Sequence, residues 1–159
     1  MGISSLLPQS DRLATVKLLI GDWIGTPTVL NGKPYQSKVI WTYHLNDNII
    51  SADTWERNDN WVYFPAWKGI LSFDVTDGTI TVNSFNHEGW SMQGKMSRVS
   101  SLEIHIIYKA ISPEGKIMEG KDVLTFAKHH QSFIWQFYYK DGEGSYIKYF
   151  EEHMTKSNP

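Results

Sequence analysis

An imidazole and a carboxylate stand side by side at His87 and Glu88, followed by Gly89 and Trp90. A histidine titrates near neutral pH, so it can pass a proton or hold a ligand carboxylate. His87 follows Asn83 and Phe85 on one strand parity, which leads the pair into a loop at a strand end. The competing reading is a turn histidine in water. Asp53, Trp55 and Arg57 alternate along another segment, and an arginine there could grip a ligand carboxylate through two parallel hydrogen bonds. Their direction stays open, because the opposite set of Ile50, Ala52, Thr54 and Glu56 is not clearly more apolar. Tyr43 and Tyr149 could supply hydroxyl donors to the same acid–base chemistry.

The other histidines offer less. In the run Leu102 to Tyr108 the apolar set is Leu102, Ile104, Ile106 and Tyr108, which leaves His105 on the outer side with Glu103 and Lys109. The same test turns His44 away from Trp41 and Tyr43. His129 and His130 fall in a turn, and His153 lies near the end. None makes a metal-ligand spacing, there is no His-Glu-x-x-His, and the chain has no cysteine, so no metal and no cofactor are expected. Nucleophile-elbow, phosphate-loop and dinucleotide signatures are also absent. Gly142-Glu143-Gly144 reads as a hairpin turn.

These side chains must be positioned by strands. Asp11 to Ile20 reads as one short helix, capped by Ser10 or Asp11, with Leu13, Val16, Lys17 and Ile20 on one side and Gly21 at its end. From there the period is two. Strands are expected at Val39–Leu45 and Ile49–Arg57, joined by the turn Asn46-Asp47-Asn48. Others follow at 61–64 and 69–75, with Pro65 interrupting, and at 80–82 beyond the Asp77-Gly78 turn. The last are 90–96, 102–110, 117–126, 133–139 and 145–152, and residues 156–159 read as a loose tail. Short antiparallel strands joined by tight turns favour an all-β, up-and-down barrel of about eight to ten strands, because closure removes exposed edges. A single domain over residues 1–159 follows, with the helix at about 11–20 closing one end and the barrel at about 22–153.

Composition narrows the contents of such a barrel. Seven Trp, eight Tyr and seven Phe make 14% of the 159 residues, an excess that suits both sheet surfaces and ligand pockets. Trp41, Tyr43, Trp55, Phe85, Trp90, Trp135, Phe137 and Tyr149 are the candidates to line one. A net charge of −2 argues against nucleic acid or an anionic membrane as partner. No apolar stretch is long enough for a membrane-spanning helix, and the N-terminus lacks a basic region followed by an apolar run, so the expected location is the cytoplasm.

The short helix, then Gly-x-Trp-x-Gly in Gly21, Trp23 and Gly25, then a meander with Trp41 early and a final strand rich in Tyr and Glu, resembles the lipocalin-like or calycin-like barrels. The nearest likeness is to bacterial lipocalin-like domains of unknown function. That resemblance implies one closed and one open end, with Trp23 packed at the closed end against a basic residue of the last strand, for which Lys148 is the match. Members of this broad group bind hydrophobic molecules, and the aromatic excess on alternating strand positions with few buried ionisable groups makes the leading reading the binding of a small, largely hydrophobic molecule without covalent chemistry. The alternative is a cofactor-independent cyclase, isomerase or lyase acting in the same pocket through His87, Glu88, Arg57 and Asp53. A third reading is an interaction protein with a fully packed core, working through its surface or as a homodimer, with Trp61, Trp67 and Trp90 near the expected turns supplying an apolar patch.

Overall fold

The structure, a computed structural model, describes residues 13–45, 48–57 and 60–157. It opens on a 3-10 helix, Ala14–Leu19, followed by β1 (Gly21–Gly25), β2 (Thr28–Leu30), β3 (Lys33–Tyr35), β4 (Ser37–His44), β5 (Ile49–Arg57), β6 (Tyr63–Asp74) and β7 (Thr79–Asn86). The rest of the chain forms β8 (Ser91–Ser100), β9 (Glu103–Ile111), β10 (Ile117–Phe126), β11 (Ser132–Lys140) and β12 (Tyr146–Lys156). Among the described residues, ten of these strands make a closed antiparallel barrel in simple up-and-down order, while β2 and β3 pair only with each other. The ring is sealed by β1, which pairs with β12 on one side and β4 on the other.

One end is plugged. Trp23 is fully buried, and its indole N–H donates to the Leu19 carbonyl at 2.6 Å, tying the 3-10 helix to the barrel. Its ring meets Phe133 edge-on at 4.7 Å and Phe126 at 6.1 Å. Leu13, Val16 and Leu19 are the buried face of the helical segment. Their spacing of three is that of a 3-10 helix, with three residues per turn. The expected α-helical face of Leu13, Val16, Lys17 and Ile20 is therefore corrected: Lys17 is exposed and Leu19 takes its place. The expected cap at Ser10 or Asp11 and the turn residues Asn46 and Asp47 lie outside the described residues.

Two further expectations change. The last strand runs through Lys156, and this residue, not Lys148, sets its ammonium 5.4 Å from the centre of the Trp23 ring. Lys148 instead pairs with Glu151 on the outer surface. Pro65 does not divide β6. Thr54 pairs with Trp67 and Trp55 with Pro65, so Ala66 is an extra, bulged residue, and the bulge is where a strand tolerates a proline without a ladder donor. The β2–β3 hairpin was not expected, although Asn31-Gly32 at its tip carries the strong two-residue turn signal, with φ of 52° and 77°.

The seam at β1 is braced from inside. Glu152 of β12 is 1% exposed and accepts hydrogen bonds from the Ser37 backbone N–H at 2.9 Å and hydroxyl at 2.6 Å, so β12 is joined to β4 beneath β1. Burial pushes the Glu152 carboxyl above the usual carboxylate range, and the Ser37 bonds oppose that. Gly25 lies over the carboxyl, where any side chain would overlap it. Gly25→Ala is expected to lower the free energy of unfolding by about 1–3 kcal/mol, the usual cost of forcing atoms into a packed site. Gly142→Ala, at a position open to solvent, should change it little. Urea denaturation of both variants tests this; equal midpoints would remove the seam argument.

Candidate functional site

Opposite the plug, the barrel holds a cavity of about 740 Å³ that opens between the strand ends. Its walls follow strand parity. On β11 Phe133, Trp135, Phe137 and Tyr139 face inward, and on β9 Ile106, Tyr108 and Ala110 do so. Consecutive residues of β12, Tyr149 and Phe150, both line it. A register shift explains this: Phe137 pairs with Phe150 and Tyr138 with Lys148, so Tyr149 is bulged and turned toward the mouth. The Ala66 bulge has a similar effect on β6. Its carbonyl accepts the His87 backbone N–H at 3.0 Å and stands 3.5 Å from His87 Nδ1, fixing the loop after β7.

The sequence-expected residues divide. His87, Glu88, Trp41, Trp90, Trp135, Phe137 and Tyr149 all line the cavity, the first two at its mouth. Asp53, Trp55 and Arg57 do not, because β5 turns Ala52, Thr54 and Glu56 inward. Asp53 is bonded to Lys68 at 2.5 Å, and the Arg57 guanidinium lies over the Tyr63 ring at 4.5 Å and the Trp61 ring at 5.2 Å. Phe85 is also corrected: Val82, Ser84 and Asn86 are the inward set of β7, and Phe85 is 58% exposed outside. Tyr43 packs on the core without reaching the cavity. Of the proposed surface tryptophans, Trp67 and Trp90 line the interior and Trp61 alone is exposed. His44 and His105 point outward, bonded to Ser51 and Glu103.

Two carboxyls that the sequence reading left unassigned face the cavity. Asp122 shares parity with Leu124 and Phe126 on β10 and is 8% exposed. Burial drives its pKa up to about 7, against the opposing pull of hydrogen bonds from the Trp135 indole and the Tyr108 hydroxyl. The Tyr108 bond measures 3.3 Å, and burial together with the Asp122 charge pushes the phenol up in turn. Tyr108 can lie flat along the wall because its cross-strand partners are Gly94 and Gly120, and a methyl at Gly120 would stand 2.5 Å from the ring. Glu56 is the second carboxyl. Burial raises its pKa, opposed by a hydrogen bond with Tyr35 and by nearby His87, while Glu88 adds to the rise. The signals were present: an acid on an otherwise apolar parity at Asp122, and Glu56 on the alternative face of β5.

Trp41 is nine-tenths buried in the same wall, and its indole N–H has no hydrogen-bond partner among the described residues. No group of three His, Cys, Asp or Glu there could hold a metal ion. The arrangement offers an aromatic slot, a protonatable Asp122–Tyr108 pair part-way down one wall, and a Glu56–Tyr35 pair at the mouth.

No protein-family model matches the chain, and no curated protein sequence does. Among solved structures it is similar to the crystal structure of Rv2717c from M. tuberculosis, with a TM-score of 0.63 and 10% identity over 92% of this chain and 98% of that one. The structure of EF1p2_mFAP2b bound to DFHBI is more distant, with a TM-score of 0.39 and 15% identity over 92% and 94%. At such identities the first likeness is one of fold alone.

The Asp122 environment has a pH signature. Below its ordinary value of 3.8 the group is protonated in folded and unfolded chains alike, and well above about 7 it is ionised in both. Between these values only the folded chain keeps the proton, so folding stability falls as pH rises through that window. Asp122→Asn should flatten this part of the stability–pH curve. Urea denaturation of both proteins across the window checks it; parallel curves would show that Asp122 ionises as it does in water.

Proposed function

We propose that the barrel binds one small, largely hydrophobic molecule in its interior, without covalent chemistry, and that it is a lipocalin-like barrel. The carrying observation is the 740 Å³ cavity, plugged at one end, open at the other and walled mainly by aromatic and aliphatic side chains. Volumes of about 300–1,000 Å³ with a few placed polar groups are typical of small-molecule sites. Trp23 at the closed end with Lys156 over its ring supports the lipocalin-like assignment. Ala110, on the cavity wall, and Ile107, on the outer face, provide a test. Ala110→Trp should weaken uptake of the neutral dye Nile red by about tenfold or more, a loss of roughly 1.4 kcal/mol, while Ile107→Trp leaves it unchanged. Fluorescence titration reads both, and equal affinities would place the dye outside the barrel.

A second reading has one observation in its favour. Asp122 holds a proton near neutral pH beside Tyr108 inside an aromatic slot, which is what a cyclase, isomerase or lyase acting on the bound molecule needs from a general acid or base. His87 and Glu88 stand at the mouth of the same space. A bound hydrophobic ketone such as 1-tetralone should then exchange its α-protons with deuterated water faster than the free ketone does, and Asp122→Asn should stop this catalysed exchange while the ketone still binds. Exchange that persists in the variant would remove Asp122 from any such chemistry.

A further inference from the structure

The charges inside the cavity are of one sign. Among its lining residues Glu56, Glu88 and Asp122 are acidic, His87 is the sole titratable base, and there is no lysine or arginine. Glu56 on β5 and Asp122 on β10 stand on opposite sides of the ten-strand ring, five strands apart. Several basic residues outside the cavity are engaged elsewhere. Lys116 and Lys140 line a second depression beside it, with Lys140 bonded to Glu119 at 2.7 Å. Lys121 stacks on the Tyr138 and Tyr146 rings, and Arg57 on Tyr63 and Trp61.

A carboxylate ligand entering this space would lose its water and meet carboxyls on both walls, with no lysine or arginine to pair with. A cation would meet the buried Asp122, the half-buried Glu56 and the rings of Tyr108, Trp135 and Phe137 in the lining, and aromatic faces attract positive charge through their quadrupoles. Together the cavity, its aromatic walls and its acids form a slot whose carboxyls a bound ammonium would hold in their ionised form, with no lysine or arginine in the lining to compete.

Resting on the reading of the interior as a ligand site, we propose that its ligand is a hydrophobic, ring-bearing molecule with a basic nitrogen, whose ammonium group is held by Asp122 between Tyr108 and Trp135. Glu56 and Glu88 at the mouth favour entry of such cations over anions.

Three probes that share one skeleton test this by isothermal titration calorimetry at neutral pH: 1-naphthylmethylamine, 1-naphthylmethanol and 1-naphthoate. The amine should bind about tenfold or more tightly than the alcohol, and the carboxylate weakest of the three. Asp122→Asn should erase the advantage of the amine over the alcohol while the alcohol still binds, and Glu56→Gln should reduce it in part. If the alcohol binds and the amine gains nothing, or the carboxylate matches the amine, the charge assignment falls and the interior remains a ligand site. If none of the three binds, both fall. The comparison of probes on the unaltered protein decides the matter even if Asp122→Asn does not fold.

Discussion

Closure at β1 is the constraint on which everything else in this molecule rests. β1 is only five residues long, yet it must complete hydrogen bonding to both β12 and β4. An unsealed gap there would expose two strand edges and admit water along the core. The chain secures the seam at two levels. Near the plug, Trp23 anchors β1 to the 3-10 helix and to Phe133. Near the mouth, Glu152 and Ser37 reach each other beneath Gly25. A buried carboxyl is a costly brace unless its oxygens are satisfied, and here each oxygen accepts a bond from Ser37.

With the ring closed, the interior is decided by parity and by two departures from it. Regular alternation places the aromatic row of β11 and the Asp122 row of β10 inside. The bulges at Ala66 and Tyr149 then adjust the mouth, one by holding His87 and the other by adding a second aromatic residue from β12. Bulges raise local twist and re-aim side chains, so they suit the rim, where the ladder is ending, better than mid-barrel. Gly94 and Gly120 make a different adjustment at mid-wall. Their missing side chains let Tyr108 lie against the sheet, which leaves the space open and brings the phenol to Asp122.

Much of this was legible in the sequence. The all-β barrel, the limits of β5 and β10, and the inward rows of β9 and β11 follow from simple alternation. Alternation could not orient Asp53, Trp55 and Arg57, because both faces of β5 mix polar and apolar residues and the decision is made by neighbouring strands. Phe85 was misplaced because β7 presents Ser84 and Asn86 to the cavity and a phenylalanine to water, the reverse of what hydrophobicity suggests. Asp122 is an acid in an apolar row and gives no signal of its own until the cavity beside it is known, and Glu56 shares the undecided parity of β5. Lys156 was read as tail because its role depends on the register of β12 with β1, which is non-local.

The β2–β3 hairpin borders the open end without belonging to the ring. It leaves the barrel between β1 and β4 at the open end, sends Leu30 and Tyr35 into the cavity lining, and rests on β12 through the Asn31 amide to the Tyr149 hydroxyl at 2.6 Å and the Tyr35 ring on Phe150 at 5.0 Å. None of its ladder bonds belongs to the ring. Lifting it breaks a few rim contacts and leaves the ten-strand hydrogen-bond circuit whole. A displacement confined to β2 and β3 would therefore widen the open end without loosening the barrel.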